Sequence, residues 1–170
     1  AERPKGAAGS VVVSSIEGTR PILIELQALV SPTGFGMPRR TSIGVDYNRV
    51  SLLVAVMEKV CGLHLGNHDI FLNVAGGVRV DEPGADLGIV SSVASSFLDR
   101  PIDPGTVVFG EVGLTGEVRG ISQMDVRVKE AERMGFSRCI MPRTTSRELP
   151  GTKLDLVRVK NLRELLEHLF

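Results

Sequence analysis

The sequence predicts a single α/β (α+β) domain, and three observations predict it. Short apolar runs of strand length recur along the chain, at 11–13, 22–30, 70–74, 106–112, 138–141 and 154–159. Between them lie segments whose apolar residues return at the helical spacing, the clearest over 47–61. Length and composition fit one core: 170 residues, 42% hydrophobic and 24% charged.

Residues 1–9 are polar, with Pro4, Gly6 and Gly9, and read as a linker entering a domain over 10–170. VVV at 11–13 and ILIELQALV at 22–30 read as strands around a Gly18-Thr19 turn, with Pro21 opening the second. In that strand Ile22, Ile24, Leu26, Ala28 and Val30 share one face, and Glu25 and Gln27 take the other. Residues 31–45, SPTGFGMPRRTSIGV, read as a flexible loop.

A helix over 47–61 places Val50, Leu53, Val54, Met57, Val60 and Cys61 on one face, with Asp46 as N-cap. IFLNV at 70–74 reads as a buried strand. Over 86–97 a helix puts Val90, Val93, Ala94 and Phe97 on one side. Its small residues Gly88, Ser91, Ser92 and Ser95 allow close packing against a neighbour. TVVFGEV reads as one strand, and Gly110, Gly113, Gly116 and Gly120 space a turn and a short return strand. Ile121, Met124, Val128 and Ala131 fit a helix stopped at Gly135. Two more strands follow, RCIM at 138–141 and LDLVRV at 154–159. Asn161 and Glu164 form a capping box for a last helix whose Leu162, Leu165, Leu166 and Leu169 face inward.

Composition narrows the function classes. Formal net charge is zero, so contact with nucleic acid has to come from a local patch. Two cysteines, Cys61 and Cys139, make no disulfide framework and fit buried thiols in a reducing cytosol. No apolar stretch is long enough to span a bilayer, and AERPKGAAGS lacks the apolar centre of a signal peptide. The absence of an initial Met fits a piece of a longer chain. Aromatic content of 4%, without Trp, argues against readout of single strands by base stacking.

The chain has no Gly-Lys dipeptide, hence no phosphate-cradling G-x-x-x-x-G-K-[ST] loop, and no G-x-S-x-G elbow. Ser91, Ser92, Ser95 and Ser96 lack an evident Lys or His partner and read as packing residues. Cys61, His64 and His68 have a metal-like spacing, but Gly62, Gly66 and Asn67 break the helix through it and no fourth ligand is evident. That favours an ordinary helix-end loop and no metal.

Arg39 and Arg40 in the 31–45 loop, with Arg49 on the next helix, are candidate phosphate contacts offset nearby only by Asp46. Two ordinary surface arginines are the competing reading. Arg119 and Arg127 form a second candidate pair, or else belong to ion pairs with Glu111, Glu117 or Asp125. The helix of Asp125, Arg127, Lys129, Glu130 and Arg133 is either a polar subunit interface or a solvated face.

DEPGADLG followed by a helix and then VVFGEVGLTGEVRGISQMD resembles the catalytic region of Lon-type Ser–Lys proteases. In that family a Ser follows the Pro of a D-x-P-S-A-G segment, and the Lys lies fifteen positions past the Gly of a G-E-[IV] strand end. Here Gly84 follows Pro83, and Asp125 stands fifteen positions past Gly110. The resemblance therefore implies a Lon-protease-like domain with a degenerate catalytic dyad at Gly84 and Asp125. Lys129, one turn after Asp125, is a conceivable relocated base without a nucleophile to serve.

A narrower resemblance is carried by GTRPILIELQALV, PRRTSIGVDYNRVSLLVAVMEK, DEPGADLGIVSSVASSF and FGEVGLTGEVRGISQ. These are similar to the carboxy-terminal domain of the bacterial RadA/Sms family of DNA repair and recombination ATPases, over roughly Gly9 to Phe170. That resemblance implies no cofactor in this chain, with ATP, Mg and Zn held by upstream domains. It also implies a homohexameric ring, a branch-migration motor, a cytoplasmic location and DNA as partner. Arg39, Arg40, Arg49, Arg119 and Arg127 are then the candidate DNA contacts. The alternatives are a structural hexamerisation domain without DNA contact and a residual Lon-type peptidase.

Overall fold

In a computed structural model, residues 6–143, 149 and 151–170 are described. The linker reading of 1–5 lies outside them. Gly9 already belongs to the packed body: it is buried, its N–H donates to Ser95 Oγ at 2.9 Å, and its carbonyl accepts from Ala28 N at 2.8 Å.

The strands are β1 (Ser10–Glu17), β2 (Arg20–Pro32), β3 (Arg40–Ile43), β4 (His68–Val74), β5 (Thr106–Val108), β6 (Glu111–Val112), β7 (Val118–Arg119), β8 (Arg138–Pro142) and β9 (Asp155–Val159). Among the described residues, seven of them form one sheet in the order β3-β4-β2-β1-β5-β8-β9. β1–β2 and β2–β4 pair antiparallel, while β3–β4, β1–β5, β5–β8 and β8–β9 pair parallel. A separate small hairpin pairs β6 with β7. The four helices are α1 (Tyr47–Cys61), α2 (Asp86–Leu98), α3 (Met124–Arg133) and α4 (Leu162–Leu169).

Period-two alternation in the central strands feeds two cores. Val11 and Val13 of β1 join Leu26, Leu53, Val90 and Leu165 beneath α1, α2 and α4. Val12, pointing the other way, joins Val107, Phe109, Val128 and Met141 beneath α3. α1 and α4 start as expected, on Asp46 Oδ2 accepting from Arg49 N at 3.1 Å and Asn161 Oδ1 accepting from Glu164 N at 2.9 Å. The serines of α2 tie the structure internally. Ser91 donates to Leu87 O, Ser95 donates to Arg100 O, and Ser96 accepts from Val30 N.

Three local expectations change. The loop predicted over 31–45 contains an edge strand, β3, whose half-exposed R-T-S-I carries no apolar run to announce it. TVVFGEV is broken after Val108, because Gly110 N donates to Gly84 O at 2.9 Å instead of continuing the ladder. α3 begins at Met124, since Gln123 sits at φ 57 and ends the approach from Ile121.

Gly88 shows why α2 needs a small residue. A Cβ there would overlap Val13 Cγ1 and lie 3.1 Å from Leu26 Cδ1, both in the middle of the core. Gly88→Ala is therefore expected to destabilise by about 1–3 kcal/mol through overpacking, net of the roughly 1 kcal/mol that alanine gains in helix propensity. Urea unfolding of the variant checks this, and an unchanged midpoint would contradict it.

Candidate site at the Pro83–Asp86 turn

Pro83–Ala85 form one turn of 3-10 helix leading into α2. Gly84 is buried there, its carbonyl held by Gly110 N. A Cβ at Gly84 would lie 2.8 Å from Ile121 Cδ1, 3.0 Å from Arg127 Nη1 and 3.3 Å from Glu82 Cδ. The space beside this backbone is thus already filled.

Arg127 fills it. Its side chain is fully buried, and it donates from Nη1 to Glu82 Oε1 at 2.7 Å and from Nη2 to Glu82 Oε2 at 2.8 Å. It also donates to Ser14 O at 2.6 Å and Ser122 O at 3.0 Å, and its guanidinium lies 5.7 Å from the Phe109 ring centroid. Glu82 Oε1 accepts Ile16 N as well, at 3.0 Å. One ion pair therefore joins the end of β1, the 3-10 turn and α3. Burial pushes the Glu82 carboxyl upward, but the hydrogen bond and charge of Arg127 outweigh it and hold the group below its ordinary value.

The group facing Gly84 from α3 is thus Arg127, not Asp125. Asp125 precedes it by two positions, about 200° around the helix. It is exposed, and it lines a small separate cleft with Lys129, Glu132 and Thr152. The candidacy of Arg127 as a DNA contact is corrected by the same geometry, because a fully buried, four-times-bonded guanidinium cannot reach a phosphate. Its partner is Glu82, none of the three carboxylates expected.

The other candidates separate. Arg49 is not offset by Asp46 alone. It makes a two-pronged ion pair with buried Asp86, with Nε at 2.9 Å from Oδ1, and a further bond to Val112 O at 3.2 Å. The Asp86 hydrogen bond raises the Arg49 pKa against the cost of its burial. Arg40 turns inward and donates to Leu65 O at 3.0 Å, whereas Arg39 is exposed. Arg119 is exposed and pairs with Glu117 at 2.9 Å. The Thr115 hydroxyl and then Arg119 bring the Glu117 carboxyl down to about 2. The five arginines do not converge on one patch.

Two exposed cations that sequence reasoning missed are Arg143 and Lys160. Backbone bonds from Val118 N to Lys160 O and from Arg143 N to Val159 O, both 2.9 Å, bring their segments beside β7 and Arg119. No spacing in the sequence links these residues, because three separate elements supply them.

Beside the turn opens a cleft of about 250 Å³, with apolar walls including Val45, Val80 and Ile89, and with Asp46, Asp81 and Glu111 among its acidic groups. Among the described residues no group of three or more His, Cys, Asp or Glu is arranged to hold a metal, and Cys61, His64 and His68 form no such group. His68 instead packs edge-on against Phe97, at 5.1 Å between centroids.

The mixed sheet, the turn before α2 and the helix crossing above it define a Lon-type proteolytic domain. The chain belongs to the family of the Lon protease (S16) C-terminal proteolytic domain, which matches residues 44–170. Its relatives include DNA repair protein RadA of Halalkalibacterium halodurans, 54% identical over 98% of this chain and 36% of that protein. RadA of Bacillus subtilis is 60% identical over 83% of this chain and 31% of that protein. RadA of Streptococcus pneumoniae is 45% identical over 99% of this chain and 40% of that protein. The chain spans about a third of the length of these relatives.

Proposed function

We propose that this chain is a non-hydrolytic Lon-type module of a RadA-type DNA repair protein, contributing self-association into a ring and backbone contacts to DNA. The observation that carries the absence of hydrolysis is the pairing of Gly84 with Arg127. Glycine offers no nucleophile, and a guanidinium is a donor-only group with no lone pair to take a proton from one. By the family motif the dyad positions are Gly84 and Asp125, and Arg127 is the α3 side chain that packs beside Gly84. ATP hydrolysis, with its Mg, and a zinc element belong on this reading to other parts of the protein, as does the branch-migration motor. Cytoplasmic residence in a bacterium goes with it. Among the described residues no helix is long and apolar enough to cross a membrane.

For DNA, the exposed Arg39 and Arg119 keep their candidacy, and Arg143 and Lys160 join Arg119. Arg40 and Arg49 are already committed to Leu65 and Asp86. Interactions of this kind go to phosphates, so affinity falls with salt and carries little sequence preference.

Anisotropy of labelled single-stranded and duplex oligonucleotides across a salt series tests the reading. The triple variant Arg119→Ala/Arg143→Ala/Lys160→Ala is expected to bind at least tenfold more weakly. Its salt slope is expected to flatten by about 1 for each phosphate that no longer has a cation beside it. Unchanged binding by that variant would move the surface to Arg39. Absence of binding by the folded wild-type chain would leave a structural assembly module. A labelled-casein assay is expected to show no turnover; turnover abolished by substituting one serine would overturn the non-hydrolytic assignment.

A further inference from the structure

Two features at opposite ends of β3 are unexplained by the fold. The first is the loop before it. Phe35 is 104% exposed and Met37 86%, so neither packs against its own chain. Yet the stems of this loop are held firmly. Asp69 Oδ1 accepts from Thr33 Oγ1 at 3.0 Å and from Arg39 N at 2.8 Å, while Thr33 N donates to Asn67 O and Ile70 N donates to Arg39 O, both at 2.9 Å. Two large apolar side chains on a clamped support, with exposed Arg39 beside them, make a preorganised knob.

The second feature is the cleft of about 250 Å³ reached past the other end of β3, where Val45 and Asp46 line it. Its walls at Val45, Val80 and Ile89 are apolar. Arg49 and Arg127 engage Asp86 and Glu82, but Asp46 and Glu111 have no ion pair among the described residues. An apolar hollow edged by Glu111 and by Asp46, which caps α1 but has no ion pair among the described residues, complements an apolar knob carrying an arginine. The same chain cannot join them, because the clamp at Asp69 holds the knob at the start of β3. The four residues of that strand alone separate the two ends by about 13 Å.

We infer that this loop is one half of a head-to-tail contact between copies of this chain. Phe35 and Met37 of one copy enter the cleft of the next, and Arg39 meets Asp46 and Glu111, which leaves Arg119, Arg143 and Lys160 as the cations for DNA. The inference rests on the self-association proposed above and names its surfaces. Knob and hollow are different patches, so the contact repeats from copy to copy, closing a ring where the rotation allows. It also covers the Pro83–Asp86 turn, which lies at the cleft wall.

Analytical ultracentrifugation over a concentration series tests this. The wild-type chain is expected to associate, and Phe35→Ser/Met37→Ser to sediment as a monomer with an unchanged melting temperature, since both side chains are exposed. Arg39→Glu and Glu111→Arg are each expected to weaken association at least tenfold, and the two changes combined in one chain to restore it. Mixing a Phe35→Cys chain with an Asp81→Cys chain is expected to give a crossed disulfide. Wild-type association that survives Phe35→Ser/Met37→Ser would overturn the contact and leave self-association standing. A wild-type monomer at every concentration would remove both. A Phe35→Ser/Met37→Ser chain that still associates but no longer binds oligonucleotide would overturn the contact in favour of a wedge between bases.

Discussion

Arg127→Met is expected to destabilise the fold by about 3–5 kcal/mol, the cost of leaving a mostly buried carboxylate without its cation. Arg127 is fully buried and Glu82 is 21% exposed, so little solvent is available to replace the missing charge. Methionine fills much of the volume but offers nothing to Glu82, Ser14 O or Ser122 O. The double variant Arg127→Met/Glu82→Leu is expected to recover a large part of the stability, because an apolar pair leaves no orphaned charge. Chemical denaturation of the three variants checks both statements. A single-variant effect under about 1 kcal/mol would show that the pair is not a structural bond.

The pH dependence of the same pair has a definite sign. The folded-state pKa of Glu82 is lowered, so its stabilising contribution is fully present above the unfolded value, about 4.3. It is lost as the pH falls through the lower folded value. In Arg127→Met only burial and the remaining hydrogen bonds act on Glu82. Burial favours its neutral form, so acidification relieves the variant. The stability gap between wild type and Arg127→Met is expected to narrow between about pH 7 and pH 4. A constant gap would mean that Glu82 is not the group at fault.

Asp86→Ala is expected to cost about 3 kcal/mol. Asp86 is 1% exposed and holds both prongs of Arg49, and its Oδ2 accepts from Val112 N at 3.0 Å. Removing it strands an amide and one end of a guanidinium. Arg49 is 32% exposed and recovers some hydration, which keeps the effect at the lower end for a broken ion pair. Asp86 fastens α1 to α2 and to the β6–β7 hairpin, so amide exchange is expected to quicken at Val112 before the central strands. Equal protection of Val112 in the variant would show that the hairpin is held by other interactions.

Much of the fold was legible in the sequence because the relevant signals are local. Helix α1 is amphipathic over its whole length, and Asp46 and Asn161 cap their helices through bonds three residues long. The small face of α2 predicted close packing, and Gly88 meets Val13 there. β3 was hidden because an edge strand with one half-exposed face needs no apolar run. The β5–β6 break was hidden because its cause is a bond from Gly110 to Gly84, 26 residues away in sequence.

The turn was legible in the sequence, but the side chain that packs on it was not. DEPGADLG located the turn and motif spacing marked Asp125 as the family's Lys position, while the α3 side chain beside Gly84 is Arg127. Two residues along a helix turn a side chain to the far side, and only the packed structure puts Arg127 over Gly84. For the same reason the sequence could not separate structural arginines from free ones. Arg127 and Arg49 find Glu82 and Asp86 at separations of 45 and 37 residues.

What the sequence determined by itself was the alternation of strands and helices, most of their boundaries and caps, and the absence of a serine after Pro83. Tertiary structure alone decided which cation faces Gly84, which arginines remain for a partner, and that an apolar loop and an acidic cleft stand at opposite ends of one strand. Periodicity and capping act through neighbours a few residues apart and so are written along the chain. Ion pairs and clefts are made by residues from distant segments, and their partners exist only once the sheet has brought those segments together.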